Sequence, residues 1–279
     1  MMGMERGFLK QKQNGGNKFM DHLEYLEMHL MNSCNLKCQG CSHFSNIADD
    51  DDVEDIESFE NNIRRLALII PVVYKIRLLG GEPFLNENIE KYCRIVRTYY
   101  PFTDIRIVTN GLMLGTIKKR IFREISELNI GIDVSLYPPT QKIQPKIEYI
   151  LNDNKINYEF TEPIKEFRKR IDLNNPSDNV QAYSNCISKH CHFYNNGYVS
   201  ACPAPYVIRY YEKHFGEDIV VASHDRISIW EKGITGEKLI RYLHLPMDIC
   251  KYCKDPETFK WSAGKQAAKE DWLINRGEI

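Results

Sequence analysis

Cys34-Asn-Leu-Lys-Cys38-Gln-Gly-Cys41 places three thiols in eight residues as C-x3-C-x2-C. It follows Tyr25-Leu-Glu-Met-His-Leu30, which reads as a strand running into a loop. Thiolates are the preferred ligands of iron–sulfur clusters, and a cubane presents one position for each of its four irons. Three ligands leave one iron open, which makes sense if a small molecule is to occupy it. A structural zinc site wants a fourth ligand and usually C-x2-C pairs, and His43 is the residue that would complete one. Spacing alone favours the cluster over zinc.

The other cysteines are grouped as well. Cys186, Cys191 and Cys202 fall together, Cys250 and Cys253 form a C-x2-C pair, and Cys93 stands alone among the nine. The N-terminal stretch Met1-Met-Gly-Met-Glu-Arg-Gly-Phe lacks the apolar core of a signal peptide, and the longest apolar run, Leu66 to Tyr74, is broken by Pro71. Neither suits export or a membrane span, so a cytoplasmic protein is expected. In that compartment grouped cysteines hold metal more often than disulfides. A set of four thiolates also suits a zinc knuckle, the bland reading of the distal group. Thirty-seven basic and thirty-eight acidic residues leave a net charge of -1, which argues against nucleic acid or an anionic membrane surface as partner. The acidic run Asp49 to Asp52 reads as a solvated loop.

The elements that must position these thiols alternate between strand and helix, the pattern of a parallel sheet with crossover helices. Residues 1–22 are expected to be a tail or leader. A helix from about Ser58 to Ile70 buries Phe59, Ile63, Leu66, Ala67 and Ile70 and ends at Pro71. Lys75 to Leu79 is the second strand. Asn86 is expected to cap a helix with the stripe Ile89, Tyr92, Cys93, Val96 and Tyr100, placing Cys93 in the core as a small hydrophobe. Asp104 to Val108 is a third strand, and Ile117, Ile121, Ile125 and Leu128 mark the next helix. Ile130 to Ser135 is a fourth strand, followed by a turn at Pro138-Pro139. Ile143, Ile147, Ile150 and Leu151 mark another helix, then Ile156 to Phe160 a fifth strand, with a weaker sixth around Ile171 to Leu173. The fold class is α/β, a partial (β/α) barrel of five or six parallel strands over residues 23–172, with chemistry at the C-terminal ends of the strands.

From 173 to 279 the alternation stops, and a small α+β domain is expected. Asn174 to Asn179 is a turn-rich linker. His192 to Cys202 reads as a hairpin turning at Asn196-Gly197, because both positions must accept positive φ. Helices are expected from about Val207 to Phe215, from Glu237 to Leu243, and from Thr258 to Asn275. Tyr206, Tyr210, Tyr211, Trp230 and Trp261 form either a stacking surface or ordinary packing. Arg209 and Lys213 either meet an anionic substrate or face water. His190 and His192 flank Cys191, where they could ligate metal, bond a cluster sulfur or lie exposed.

C-x3-C-x2-C after a first strand, Gly80-Gly81-Glu82-Pro83 closing a second and Thr109-Asn110-Gly111 closing a third resemble, in that order, the radical SAM (S-adenosylmethionine) superfamily. The resemblance implies a [4Fe-4S] cluster on Cys34, Cys38 and Cys41 whose open iron takes the amino and carboxylate groups of SAM. One electron then splits the sulfonium to methionine and a 5'-deoxyadenosyl radical, which takes a hydrogen atom from the substrate. Gly80, Gly81, Glu82 and Pro83 correspond to the turn that receives the SAM amino group, with Glu82 or adjacent carbonyls accepting from the ammonium. Asn110 and Ser135 correspond to positions that contact ribose or carboxylate. The position before the third cysteine, often aromatic in the superfamily, is Gly40, so an aromatic contact to adenine must come from elsewhere, such as His43 or Phe44.

Cys186, Cys202 and the Cys250–Cys253 pair, with a hairpin and helix between, resemble the twitch domain, a shortened SPASM domain that holds an auxiliary [4Fe-4S] cluster. Cys191 is the substitute if one of the four is not a ligand. The resemblance implies a flavodoxin- or ferredoxin-type electron donor and hydrogen abstraction from a small polar substrate. Oxidation (dehydrogenation) or epimerisation of a sugar or polyol is favoured over modification of a ribosomal peptide. A zinc-stabilised binding protein without catalysis is the rival from another class. No catalytic acid or base is identified.

Overall fold

The computed structural model describes residues 22–50 and 53–274. The expected leader, His22 apart, lies outside them, as do Asp51 and Asp52 of the acidic run. In chain order the elements are β1 (His22–Met31), α1 (Ile56–Ile69), β2 (Val72–Gly80), α2 (Ile89–Tyr99), β3 (Asp104–Thr109), α3 (Lys119–Glu127), β4 (Gly131–Val134), α4 (Pro138–Gln141), α5 (Gln144–Asp153) and β5 (Tyr158–Phe160). There follow β6 (Glu166–Ile171), α6 (Asn179–Ser184), β7 (Phe193–Asn195), β8 (Tyr198–Ser200), α7 (Ala204–Phe215), β9 (Ile227–Ser228), α8 (Gly236–Leu243) and β10 (Cys253–Lys260).

One sheet runs β5-β4-β3-β2-β1-β7-β8-β9, with every pair from β5 through β1 to β7 parallel. Its strands do not read as continuous apolar runs. Leu26, Met28 and Leu30 of β1, Ile76 and Leu78 of β2, Ile105 and Ile107 of β3 and Ile132 and Val134 of β4 join one buried cluster with Phe59, Ile63 and Leu66 of α1, Cys93 and Val96 of α2, Ile125 of α3 and Ile147 and Leu151 of α5. Burying each large aliphatic side chain in this layer contributes roughly 1.5–3 kcal/mol. The alternate positions are polar, because successive side chains point to opposite faces. Arg77 pairs with Asp104 at 3.2 Å and Asp133 at 3.0 Å, and Arg106 with Asp133 and with Glu159 at 3.2 Å. The sheet therefore has a dry face under the helices and a polar face that is free to carry a site.

Local signals explain the element ends. Asp55 caps α1, its carboxylate accepting from Ser58 N at 3.0 Å. Asn86 does not cap α2, which starts after Asn88; its side chain donates to Leu30 O at 2.7 Å and ties the second turn to the end of β1. Pro138 and Pro139 open the short helix α4 in place of a simple turn, since proline is tolerated in a first helical turn.

Three expectations about the C-terminal half change. The sixth strand is Glu166–Ile171, which leaves the main sheet and pairs antiparallel with β10. The expected helix from Thr258 is instead this β10 partner followed by irregular chain: Pro256 lies where the register shifts between Cys253 and Glu257, and strand-forming Thr258 and Phe259 pair with Arg168 and Phe167. The hairpin turns at Asn196-Gly197, both at positive φ, and its pairing reaches beyond the C-terminal half. Its first strand adds to the main sheet beside β1, pairing Glu27 with Phe193 and Met28 with Tyr194.

A second buried cluster collects Phe44, Phe193, Tyr206, Tyr210, Tyr211, Ile249 and Trp272. Tyr206, Tyr210 and Tyr211 are thus packing residues. Arg209 lies over the Tyr206 ring at 3.7 Å, and Lys213 pairs with Asp49. Trp230 stays 56% exposed while donating to Asn62.

Candidate metal centre

The three strand-end motifs meet. Cys34, Cys38 and Cys41 line a cavity of about 300 Å³ together with Gly80, Gly81, Asn110 and Ser135. The cysteine loop is fixed from several sides. Cys34 N donates to Ser45 O at 3.1 Å, and Asp50 accepts from Asn32 N at 3.2 Å, from Ser33 N at 2.8 Å and from Ser33 Oγ at 2.6 Å. Asp50 therefore has a structural task that its place in an acidic run did not suggest.

The glycine pair is required by the chain itself. Gly81 N donates to Met31 O at 2.9 Å, and a Cβ would lie 1.8 Å from Met31 O at Gly80 and 1.8 Å from Ser33 O at Gly81. Glu82 turns away from the cavity and is fully buried. Its carboxylate accepts from Thr109 Oγ1 at 2.7 Å, Asn110 N at 2.9 Å and Phe84 N at 3.2 Å. Burial pushes its carboxyl up to about 7 against these hydrogen bonds. Glu82 is thus a strut joining the ends of β2 and β3, and Pro83 opens the 3-10 turn behind it. Glu82 therefore presents no carboxylate oxygen to the cavity. Asn110 also faces its own chain, donating to Asn35 Oδ1 at 2.7 Å and Cys34 Sγ at 3.6 Å.

Gly40 sits at φ +61°, and a Cβ there would lie 2.6 Å from the Phe259 ring. Phe259 of β10 fills the space an aromatic at position 40 would need. Phe44 is not its replacement in the cavity, because it stacks on Trp272 with centroids 5.3 Å apart. His43, Tyr137 and Phe167 are the rings that line the cavity near the thiols.

Tyr25 and Glu27 line the same cavity and were missed from sequence. Tyr25 Oη donates to Glu27 Oε1 at 2.9 Å, and burial raises the Glu27 carboxyl to about 7. Above them His29 Nε2 and His43 Nδ1 are 2.7 Å apart, and burial pushes both rings down, His43 to about 4, so both are neutral near pH 7. The alternation Tyr25, Glu27, His29 against Leu26, Met28, Leu30 was the available signal.

The distal cysteines form a second gathering. Cys186, Cys202 and Cys253 line a cavity of about 490 Å³ that shares Ser42 and Phe167 with the first. Burial raises the Cys202 thiol, and Cys253, Cys250 and Cys186 raise it further as electrostatic neighbours. Cys191 does not line this cavity; its neighbours are Glu27, Cys186 and Arg170. His192 is buried and His190 exposed, and both lie near His244.

The donor sets fit iron–sulfur groups. Burial holds the Cys34 thiol near 11 and the Cys38 thiol near 12, so these sulfurs need a cation to ionise. Among the described residues no group of three or more His, Cys, Asp or Glu side chains is gathered closely enough to hold a single metal ion.

A parallel half-barrel with three thiols, a glycine turn and two polar strand ends around one cavity is the frame of an iron–sulfur cofactor site. The family model for the radical SAM superfamily matches residues 28–175, and the chain belongs to that superfamily. It is similar to the GTP 3',8-cyclase of Aliarcobacter butzleri, 29% identical over 129 residues covering 44% of this chain and 39% of that protein. It is also similar to the GTP 3',8-cyclase of Sulfurovum sp., 31% identical over 121 residues covering 42% and 36%. The alignments thus span about two-fifths of the curated relatives' length. Among solved structures, BtrN in complex with AdoMet and 2-DOIA matches with a TM-score of 0.46 and 16% identity, over 84% of this chain and 93% of that one. Native anSMEcpe with bound AdoMet matches at 0.39 and 20%, over 50% and 43%. No helix among the described residues is long and apolar enough to cross a membrane.

Proposed function

We propose that this chain is a SAM-dependent radical enzyme that oxidises or epimerises a small uncharged or amine-bearing sugar or polyol. The observation that carries this reading is the lining of the first cavity: among the described residues its only carboxylate is Glu27, its histidine is neutral near pH 7, and no lysine or arginine lines it. The guanidiniums of Arg77 and Arg106 pair with Asp104, Asp133 and Glu159, and Nη2 of Arg106 is buried. A phosphate in this cavity would lack a counter-charge, whereas hydroxyls and ammonium groups find acceptors.

In this reading Cys34, Cys38 and Cys41 hold the SAM-binding [4Fe-4S] cluster. Cys186, Cys202, Cys250 and Cys253 hold an auxiliary one. When bound, the first cluster supplies the single electron that splits SAM and starts hydrogen abstraction. The carbonyls of Gly80 and Gly81 and the hydroxyl of Ser135 are the chain's own groups for orienting SAM. Glu27 is the group placed to hold or accept a proton. An alcohol that has lost a hydrogen atom must lose its hydroxyl proton and one electron to become a carbonyl, and a carboxyl near neutrality suits the first task. Oxidation also requires an electron acceptor, so occupancy of the second cysteine group separates oxidation from epimerisation. A flavodoxin- or ferredoxin-type protein is the proposed electron donor.

A nucleotide substrate is the second reading. It is favoured by Arg168 and Arg170 on the adjoining cavity and by the cyclase relatives. Anaerobically reconstituted protein, SAM and dithionite, challenged with an amino sugar, a neutral cyclitol, a sugar phosphate, GTP and a peptide, separates the readings by stimulated 5'-deoxyadenosine release. Stimulation by the first two is expected. Stimulation by GTP alone would establish the second reading, and a colourless protein holding zinc would end both.

A further inference from the structure

After β10 the chain runs back over the cysteine loop as a strap. Ala263 bridges to Cys38, Gln39 N donates to Ser262 O at 2.9 Å, and Gly264 N donates to Lys37 O at 3.0 Å. Within this strap Trp261 is held three ways. Its backbone N–H donates to Lys165 O at 2.9 Å, its ring stacks on Tyr137 with centroids 5.7 Å apart and 28° between planes, and its indole Nε1 donates to Cys38 Sγ at 3.2 Å. Neither the superfamily assignment nor the proposed substrate chemistry needs that last bond.

We infer that Trp261 is a positioning residue that sets how readily the group held by Cys38 accepts an electron. The inference rests on the reading that Cys38 ligates the SAM-binding cluster. The physical reason is general. A donor aimed at a ligating sulfur stabilises the more negative, reduced state, so it raises the reduction potential, and removing it lowers the potential. The strap fixes this donor from the other half of the chain, because β10 begins at Cys253 and ends one residue before Trp261. A single extended segment therefore carries a distal thiol at one end and the indole donor at the other.

The test is a dithionite redox titration followed by electron paramagnetic resonance, one electron passing from dithionite to the cluster. The relevant signal is the one that changes on adding SAM, which separates it from any auxiliary cluster. Trp261→Phe keeps a six-membered ring on Tyr137 and deletes the N–H donor with the five-membered ring that carries it, while Trp261→His restores a ring donor. At the wild-type midpoint Trp261→Phe should show about tenfold less reduced relative to oxidised cluster, a downward shift of about 59 mV for a one-electron couple, and Trp261→His should recover part of it. An unchanged midpoint in Trp261→Phe, or an equal fall in both variants, overturns the inference. If Trp261→Phe fails to retain iron, retention by Trp261→His supports the donor role and loss in both overturns it. A wild-type protein with no SAM-sensitive signal would instead strike at the proposed function.

Discussion

Glu27 shows what burying a single carboxyl beside a cavity costs the fold. Its carboxyl is raised to about 7 by burial, and the Tyr25 hydroxyl offsets this only in part. Below about pH 4.5 folded and unfolded chains both hold the proton; above it the unfolded chain loses the proton first, so stability falls as pH rises toward 7. Glu82 contributes with the same sign. Urea unfolding of the metal-free protein should therefore give a midpoint that declines from pH 5 to 8, with Glu27→Gln removing a share on the order of 3 kcal/mol at the upper end. Equal slopes in the two proteins would show that Glu27 is ionised at no cost. Gly81→Ala should be severe, because the new Cβ meets Ser33 O within 1.8 Å and both partners are backbone; we expect loss of bound iron after reconstitution, read by iron quantification. The three proximal cysteines were legible because their spacing is local. Glu82 and Asn110 were legible as positions but not as contacts: their partners, Thr109 and Asn35, are brought near by strand register, which a single sequence does not specify.

Elements on the helix-covered face were read correctly where a stripe of Ile, Leu and Val had one partner surface to match, as in α1 and α2. The failures lie where tertiary contacts outvote local preference. The segment after Thr258 carries an alternating face that pairs with β6, and its two tryptophans are anchored to the cysteine loop and not to a helix stripe. Trp272 is 3% exposed, stacks on Phe44 and donates to Cys41 O at 2.8 Å. Trp272→Ala should cost roughly 3–5 kcal/mol of unfolding free energy, the range for emptying a buried aromatic site, and should also loosen the loop behind Cys41. A denaturation midpoint within error of wild type would show that the strap is dispensable.

At the scale of the molecule, the two cysteine groups line adjoining cavities that share a wall of Ser42 and Phe167. The separation into a barrel and an appended domain was drawn from a change of sequence rhythm, and rhythm does not reveal that β7 hydrogen-bonds to β1. Function should divide more cleanly than structure does. On the proposed two-cluster reading, Cys38→Ala should abolish SAM cleavage, whereas Cys253→Ala should retain some cleavage and lose product while its iron content falls by about half. Full turnover in the Cys253 variant would remove the auxiliary group from the mechanism.

The pairing of β7 with β1 also bears on biosynthesis. β1 receives its second neighbour only after every strand from β2 to β6 has been made, so a nascent chain carries an open backbone edge until β7 emerges. Expression of residues 28–175 alone would leave that edge permanently unsealed, and the fragment should self-associate where the whole chain stays dispersed.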